Sequence, residues 1–238
     1  MSKFNEIFLD LEAAILNQRF ISGDLLPSEN ELVKKYNVSR ETIRKALNML
    51  LEKGYIQKIQ GKGSIVLDIK RFDFPVSGLT SYKELQDTHK MDSQTIVVQN
   101  NLQPISKDLA HHLNLSLDTS VLYLERLRKV NGEVVIIDKD YLLTSIVPSI
   151  STDAAEDSLY HYIEQTLGLT IGYAQKEITV DPITEEDKQL MNLKDDTHVV
   201  VVRSDVYLEN TTLFQHTESR HRLDRFRFVD FARRRNSL

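Results

Sequence analysis

The fold of the N-terminal part is decided by one stretch, SENELVKKYNVSRETIRKAL, which spans residues 28–47. Ser28 and Glu31 have the spacing of a capping box, in which two side chains satisfy the first backbone donors of a helix. Asn37-Val38 predicts a tight turn, and Ser39 is a second residue of the type that caps helices. The stretch therefore predicts two short helices joined by a turn, as in a helix-turn-helix.

The flanking sequence adds one more helix and a hairpin. Apolar residues recur at helical spacing before the stretch, and two β-like runs follow it around a basic, glycine-rich turn. In chain order we expect an amphipathic helix over 4–15, helices at about Glu29–Tyr36 and Arg40–Glu52, and strands Tyr55–Ile59 and Ser64–Leu67 joined by Gly61-Lys62-Gly63. This order is that of a winged helix-turn-helix, whose third helix enters the major groove of DNA.

The charge distribution agrees with a nucleic-acid surface in this region. The whole chain carries a net charge of -5. Residues 34–62 nevertheless contain eight Lys or Arg and only two acidic residues, so this stretch carries +6. A second basic cluster, seven Arg within 220–235, is equally consistent with a solvated face.

After a linker predicted at Asp68–Val76, the pattern changes to strands mixed with short helices. Asn131-Gly132 is a strong hairpin signal between two strand-like runs, and Asn210 with Thr211 is a second turn signal. Strands joined by hairpins predict an α+β domain with a mixed, largely antiparallel sheet. The predicted strands are Thr95–Leu102, Val121–Val130, Val134–Leu143, Ile171–Val180, Val199–Leu208 and Thr212–His221, and the predicted helices are Ser81–Gln86, Lys107–Leu113, Ser158–Leu167 and Glu185–Met191.

Composition excludes several classes of protein. The chain has no cysteine, so disulfides and thiolate metal sites are ruled out. Its seven histidines show no HExxH-type spacing, and neither a nucleophile elbow nor a phosphate-binding P-loop is present. No apolar run is long enough to cross a membrane. We therefore expect a cytoplasmic protein with no cofactor, no metal, no membrane contact and no catalytic residues.

The first 67 residues resemble the GntR family of bacterial regulators. The resemblance lies in Leu26–Leu32, in Val38–Leu47 and in Gly61-Lys62-Gly63-Ser64, three motifs in order at the family's spacing. It implies a DNA-binding domain over 1–70, followed over 71–238 by a domain that senses an effector and forms a homodimer. The expected partners are double-stranded operator DNA, a small-molecule effector and a second copy of the chain.

The C-terminal part resembles the sensor domain of the HutC-like branch of that family, which is related in fold to chorismate lyase. The marks are Glu125–Arg128, Ser158-Leu159-Tyr160 and Glu218–Phe228. Stretches such as Asp138–Tyr141 and Tyr173–Ile178 resemble the trehalose operon repressors of Gram-positive bacteria. This resemblance implies repression of a trehalose utilisation operon and trehalose 6-phosphate as the effector.

The family resemblance places DNA contacts at Ser39, Arg40, Thr42 and Arg44. Chemistry agrees, because Arg can hold guanine O6 and N7 with two hydrogen bonds and short hydroxyls suit phosphates. Ser39 is alternatively only a helix cap, and the two wing glycines are alternatively ordinary turn residues. The complete set of candidate DNA-binding residues is Asn30, Ser39, Arg40, Thr42, Arg44, Lys45, Gly61, Lys62 and Gly63. Asn30 stands where some relatives carry an Arg that touches DNA.

The candidate effector-binding residues lie in the C-terminal part. Arg126 and Arg128 alternate along one strand, so they share a face and suit a phosphate, although surface ion pairs would explain them equally well. A helix that begins near Thr80 and Ser81 offers free backbone donors to an anion. The resemblance adds Ser158, Tyr160 and Glu218 around the ligand, where Ser158 is alternatively a helix cap and Tyr160 a core residue.

Three functions remain open at this point. The first is a repressor released by a sugar phosphate, which is either trehalose 6-phosphate or another such as an amino-sugar phosphate. The second is a repressor without a ligand. The third is a sugar-phosphate enzyme with an appended DNA-binding module, an idea that rests only on the fold relation to a lyase.

Overall fold

The computed structural model describes residues 2–67, 79, 81–89 and 92–226. The chain forms two compact units, an N-terminal one and a larger C-terminal one. Both the predicted linker at Asp68–Val76 and the predicted domain boundary between residues 70 and 71 lie outside the described residues. Within the described ranges, no helix has the length and apolar character required to span a membrane.

The N-terminal unit is the predicted winged helix-turn-helix. Its elements are α1 (Lys3–Leu16), α2 (Glu29–Tyr36), α3 (Arg40–Glu52), β1 (Ile56–Ile59) and β2 (Gly63–Val66). The predicted capping box forms, because Glu31 N–H donates to Ser28 Oγ at 3.3 Å and Ser28 N–H donates to Glu31 Oε2 at 2.7 Å. Asn37 ends α2 in the left-handed conformation with φ 51°, which redirects the chain into α3.

One apolar core holds these elements together. It receives one stripe of each helix and one side chain from each wing strand, Ile56 and Val66. The apolar stripe of α3 is therefore directed inward, and its charged side chains are left on the exposed surface. The buried members are Ile7, Phe8, Leu11, Ile15, Leu26, Leu32, Ile43, Ala46, Leu47, Leu50, Ile56 and Val66.

The C-terminal unit is built on a six-stranded sheet with the strand order β3-β4-β5-β8-β7-β6. All five neighbouring pairs are antiparallel, so the α+β prediction is confirmed. The strands are β3 (Ser93–Pro104), β4 (Ser120–Val130), β5 (Glu133–Leu143), β6 (Ile171–Pro182), β7 (His198–Leu208) and β8 (Leu213–Arg222). The helices are α4 (Tyr82–His89), α5 (Lys107–Leu113), α6 (Thr152–Asp157), α7 (Leu159–His161), a π-helical turn over Tyr162–Thr166, and α8 (Glu185–Leu190), and a 3-10 turn follows at Leu223–Arg225.

The two faces of this sheet differ. On one face, which we call the cavity face, apolar residues of the sheet pack against α6, α7 and the π-helical turn. On the other, which we call the α8 face, Leu127, Ile137, Val199 and Val201 pack near α8. Because strand residues alternate between faces, the parity of a residue number within each strand decides which face its side chain joins.

The hairpins and most helices agree with the prediction. Asn131 and Gly132 both have positive φ, 50° and 86°, as a two-residue turn between β4 and β5 requires. Two features differ. The helix α6 was not predicted, and the single helix predicted over Ser158–Leu167 is a short α7 followed by the π-helical turn. Ser158 has an extended backbone conformation, with φ -159°, which interrupts the helical path between α6 and α7. Its side chain caps the start of α7.

Candidate functional site

The exposed side of α3 presents the predicted DNA contacts. Arg40, Arg44 and Lys45 are exposed, and Thr42 is partly buried. Lys45 forms only an exposed ion pair with Glu41, 3.3 Å between Nζ and Oε1. Such pairs contribute little to stability and exchange readily for other anions. The helix therefore offers three cationic side chains to a ligand outside the unit.

Two side chains of α2 hold the α3 arginines in place. Asn30 Oδ1 accepts a hydrogen bond from Arg40 Nη2 at 2.5 Å, and Glu29 Oε2 accepts one from Arg44 Nε at 3.0 Å. The sequence placed Asn30 at the DNA only by comparison with relatives that carry Arg there. In the structure its amide orients an arginine of the reader helix, and Glu29 does the same for Arg44.

Ser39 is confirmed as a helix cap, since Thr42 N–H donates to Ser39 Oγ at 3.2 Å. The hydroxyls of Ser39 and Thr42 also lie 2.9 Å apart. Both residues thus contribute to the start of α3. Ser39 caps the helix and is also exposed to solvent. At the wing, Gly61 and Gly63 have φ values of 77° and 108°, and Lys62 is exposed between them. These angles require glycine, so the turn chemistry expected of the wing is present.

A cavity of about 180 Å³ opens on the cavity face of the C-terminal unit, beneath α4 and α7. Its floor is polar, although it lies in the middle of a sheet. The floor carries alternate side chains of β4, β5, β7 and β8, which are Arg126, Arg128, Ile136, Asp138, Asp140, Val202, Ser204, Gln215, Thr217, Ser219 and His221. The rim carries Leu79, Ser81, Tyr82, Lys83, Asp157, Ser158, Leu159, Tyr160, Lys176 and Phe226.

Arg126 and Arg128 lie on the floor, and each is buried in an ion pair. Arg126 Nη2 donates to Asp140 Oδ2 at 2.6 Å, and Arg128 Nε donates to Asp138 Oδ2 at 2.8 Å. Thr95 Oγ1 accepts a further bond from Arg128 Nη1 at 2.6 Å. The two arginines therefore do share a face, as expected, but their nearest anions are aspartates of the neighbouring strand.

The remaining aspartate oxygens are also occupied. Asp140 Oδ1 accepts from Gln215 Nε2 at 2.7 Å and from Thr217 Oγ1 at 2.8 Å, and Asp138 Oδ1 accepts from Ser219 Oγ at 2.6 Å. Burial opposes the charge of Asp138, but Arg128, Arg126 and the serine hydroxyl lower its pKa to about 2. The floor is thus a charged network that is held ionised by its own partners.

Two polar atoms of this network are buried and have no hydrogen-bond partner among the described residues. They are Arg126 Nε, a donor, and Gln215 Oε1, an acceptor. Buried polar groups in native proteins are nearly always satisfied, so such atoms point to a missing ligand or water. A ligand with both hydroxyl donors and acceptors, such as a sugar, matches this pair.

The rim holds the other predicted effector contacts. Ser158 Oγ accepts from His161 N–H at 3.3 Å, which confirms its capping role. Ser81 Oγ accepts from Glu84 N–H at 3.2 Å, and Glu84 Oε2 accepts from Ser81 N–H at 2.7 Å. These bonds occupy two backbone donors at the start of α4 that we expected an anion to use. Tyr160 is partly buried, and that burial raises the pKa of its hydroxyl, so the group remains a neutral donor.

One predicted contact, Glu218, is not part of this arrangement. Glu218 lies on the α8 face, because it alternates with the cavity residues Thr217 and Ser219 along β8. Its carboxylate accepts from Arg203 Nε at 2.9 Å and from Arg220 Nη1 at 3.4 Å. Thr80 lies outside the described residues.

Sequence reasoning missed most of the polar floor. Asp138, Asp140, Gln215, Thr217 and Ser219 contact or line the cavity. The sequence does carry a signal for these residues, because they occupy every second position of β5 and of β8. A sheet that is buried on both faces would carry apolar residues there. Lys83 and Lys176 on the rim carried no such signal, because single lysines on a helix or an edge strand are usually solvated.

The winged helix-turn-helix and the cavity domain define a class of regulator, and comparison with known proteins agrees. Residues 3–66 match the family of bacterial regulatory proteins called gntR, and residues 88–227 match the UTRA domain. The chain belongs to the GntR family, in its HutC-like branch. It is a DNA-binding transcriptional regulator with an effector-binding domain, and not an enzyme.

Individual relatives extend this similarity over the whole chain. The HTH-type transcriptional regulator TreR of Bacillus subtilis is 50% identical over 234 residues, which cover 98% of each protein. The crystal structure of the possible transcriptional regulator YydK from the same species has a TM-score of 0.82 at 27% identity, and the match covers 98% of this chain and all of that one. The effector-binding domain of the B. subtilis trehalose repressor covers 60% of this chain and 99% of its own, with a TM-score of 0.56 at 50% identity.

The geometry of α3 and the wing predicts different consequences for two substitutions. We expect Arg44 to contact a base edge or its flanking phosphate, so Arg44→Ala should weaken operator binding by about 1–3 kcal/mol and relax base preference. We expect Lys62 to contact a phosphate of the DNA backbone. Lys62→Ala should therefore weaken binding to all DNA sequences alike and lower the salt dependence of the affinity. Fluorescence anisotropy with operator and scrambled DNA measures both. The matched control is Lys107→Ala, an exposed lysine of the C-terminal unit; equal losses on all sequences for Arg44→Ala would contradict its assignment to a base.

The buried side chain of His221 should make the free energy of unfolding decrease at acid pH. Burial lowers the pKa of this cavity histidine to about 4, against the opposing effect of Asp138. The unfolded chain, with an ordinary pKa of about 6.5, binds the proton first as the pH falls. Stability is therefore unaffected above about pH 6.5 and decreases by about 2 kcal/mol on going from about pH 7 to about pH 5. Urea unfolding at both pH values should show a smaller decrease for His221→Gln; an equal decrease in both proteins would contradict this.

Proposed function

We propose that the chain represses a trehalose utilisation operon and leaves its operator when trehalose 6-phosphate binds the cavity. The observation that carries the proposal is the 50% identity to TreR over 98% of both proteins. A second support is the solved effector-binding domain of that trehalose repressor, which is 50% identical over 60% of this chain. A repressor acts where the chromosome lies, so the proposal includes a cytoplasmic location.

The floor of the cavity suits the sugar. Asp138 and Asp140 supply acceptor oxygens, while Thr217, Ser219 and Gln215 supply groups that both donate and accept. Sugar hydroxyls bind to such combinations because each hydroxyl donates one bond and accepts others. The buried and unsatisfied Arg126 Nε and Gln215 Oε1 are the atoms to which we assign the first two ligand hydrogen bonds.

The phosphate requires positive charge, and the cavity provides a small excess. Four cationic side chains and three carboxylates line it. Arg126 and Arg128 are paired with aspartates, and Lys83 forms an exposed ion pair with Asp157, 3.4 Å between Nζ and Oδ1. We assign the phosphate to Lys83 and Lys176 on the rim together with Arg126 Nε. Burial lowers the pKa of Lys176, and a phosphate beside it would oppose this shift, because an opposite charge favours the protonated amine. Ser81, Ser158 and Tyr160 are the hydroxyls that we assign to the phosphate end.

Release from DNA would follow from closure of the rim on the effector. Ser81, at the start of α4, caps the first described helix after the segment that leads from the DNA-binding unit. An effector that draws this residue toward the floor acts directly on that segment. The effector shifts the equilibrium only through its different affinities for the DNA-bound and free forms. A phosphate that binds floor and rim together provides such a difference.

We further propose that the repressor acts as a homodimer on a pseudo-palindromic operator. One reader helix covers few base pairs, so a two-fold pair is the usual source of specificity. The edge strands of the C-terminal sheet, β3 and β6, carry exposed apolar side chains, among them Leu102 at 62% and Val180 at 62%. Such residues on an edge strand favour contact with a second copy.

The effector prediction is tested by operator anisotropy. Trehalose 6-phosphate should release the protein, and trehalose should need a roughly tenfold to hundredfold higher concentration, since charged hydrogen bonds contribute about 1.5–3 kcal/mol. A protein that ignores trehalose 6-phosphate but answers to an amino-sugar phosphate would move the effector to another sugar and leave the mechanism intact. A protein that answers to no sugar phosphate and shows no ligand-induced thermal shift is a repressor without a ligand.

A paired substitution tests the role of Arg126 in that response. Removing Arg126 alone would leave Asp140 buried without its partner, which costs about 3–5 kcal/mol. The double variant Arg126→Gln with Asp140→Asn leaves the net charge of the cavity unchanged, so it should bind operator normally and fail to respond to trehalose 6-phosphate. Lys188→Gln with Glu185→Gln, an exposed ion pair on α8, is the matched control. Release of the double variant at wild-type effector concentrations would exclude Arg126 as an effector contact.

The oligomeric state has its own test. Sedimentation of the full chain should give a dimer at micromolar concentration, and two chains should bind one palindromic operator. Leu102→Glu with Val180→Glu places charges on both edge strands and should shift the equilibrium toward the monomer. A wild-type chain that sediments as a monomer and binds a single half-site with full affinity would exclude the dimer.

A further inference from the structure

Three potential metal ligands meet on the α8 face, on the side of the sheet away from the cavity. They are His112 of α5, Asp205 of β7 and His216 of β8. The ligands come from elements that are far apart in the chain, since 93 residues separate His112 from Asp205. No spacing in the sequence therefore indicated them, and the sequence predicted no metal.

The donor atoms converge on one carboxylate. His112 Nε2 lies 3.0 Å from Asp205 Oδ2, and His216 Nδ1 lies 2.6 Å from Asp205 Oδ1. The three ligand atoms are all within 4.8 Å of one another. A tetrahedral ion with bonds of about 2.0–2.1 Å needs ligand atoms about 3.3 Å apart. Binding would therefore widen the 2.6 Å contact between His216 Nδ1 and Asp205 Oδ1 and reposition the ring of His112, whose side chain is 56% exposed.

The environment of the cluster also suits a cation. The side chain of Asp205 is only 17% exposed, and neither lysine nor arginine of the described residues forms an ion pair with it. The two imidazole rings lie at 71° to each other with centroids 5.5 Å apart, so they approach the carboxylate from different directions. The exposure of His112 leaves one side open to water.

We propose that His112, Asp205 and His216 bind a divalent transition-metal ion such as Zn²⁺. Two imidazoles and one carboxylate are a ligand set that Zn²⁺ takes in proteins, and a water molecule completes the tetrahedron. Binding requires a lone pair on His112 Nε2 and on His216 Nδ1, so protons that these nitrogens share with Asp205 leave when the ion enters. The ion links α5 to strands β7 and β8. Its β8 ligand, His216, lies between Gln215 and Thr217, whose side chains belong to the cavity floor.

The experiment uses the full chain, treated with a chelator and then titrated with ZnCl₂ in a calorimeter. We expect one ion per chain at micromolar affinity, weaker at about pH 5.5 than at about pH 7.5 because protons compete for the nitrogens. Co²⁺ should give visible absorption bands of a four-coordinate site with nitrogen and oxygen ligands. Because the chain has no cysteine, thiolate bands cannot obscure them.

Substitutions decide whether the binding belongs to this cluster. His112→Gln and Asp205→Asn should each lower the Zn²⁺ affinity at least about tenfold, since each removes one of three ligands. His111→Gln, an exposed neighbour on the same helix, should leave it unchanged. The proposal is overturned if wild type shows no saturable binding at micromolar Zn²⁺, or if His112→Gln and wild type bind with equal stoichiometry and affinity. Thermal melting without metal confirms that each variant is folded.

Discussion

Two buried ion pairs between neighbouring strands govern the C-terminal unit. Both pairs run diagonally between the strands β4 and β5. Arg126 lies opposite Asp138 but binds Asp140, and Arg128 lies opposite Ile136 but binds Asp138. Moving such charges out of water costs several kcal/mol per ion, which a pair recovers only if its other oxygens and protons are also satisfied. Here β8 supplies the remaining bonds through Gln215, Thr217 and Ser219.

This constraint explains why the cavity is where it is. A polar floor in mid-sheet cannot be covered by apolar side chains, so α4 and α7 stand over a cavity and the apolar core lies to one side. The floor is rigid because four hydrogen-bonded strands carry it, and its ion pairs are formed before a ligand arrives. The rim comes from short helices with fewer contacts. The proposed effector would therefore meet a preorganised floor and act on the rim, as a switch requires.

The sequence predicted those parts of the structure that depend on local signals. The bounds of α2 and α3 follow from the caps Ser28 and Ser39, and the β4–β5 turn follows from Asn131-Gly132. Placement of side chains needed tertiary information. Glu218 matched a family motif, yet the parity of β8 directs it to the α8 face, where Arg203 and Arg220 bind it. The pairing of the two arginines with aspartates was likewise not predicted, because a bulge between Arg128 and Lys129 shifts the register that the Asn131-Gly132 turn would set.

Effector and operator act on one chain through different units, so their binding must be linked reciprocally. If trehalose 6-phosphate weakens operator affinity by some factor, the operator must weaken trehalose 6-phosphate affinity by the same factor. The direct measurement is calorimetric titration of trehalose 6-phosphate into the free protein and into the protein saturated with operator DNA. The account predicts a dissociation constant that is raised on the operator complex by the factor seen in the anisotropy release curve. Equal affinity for the free and operator-bound protein would contradict it.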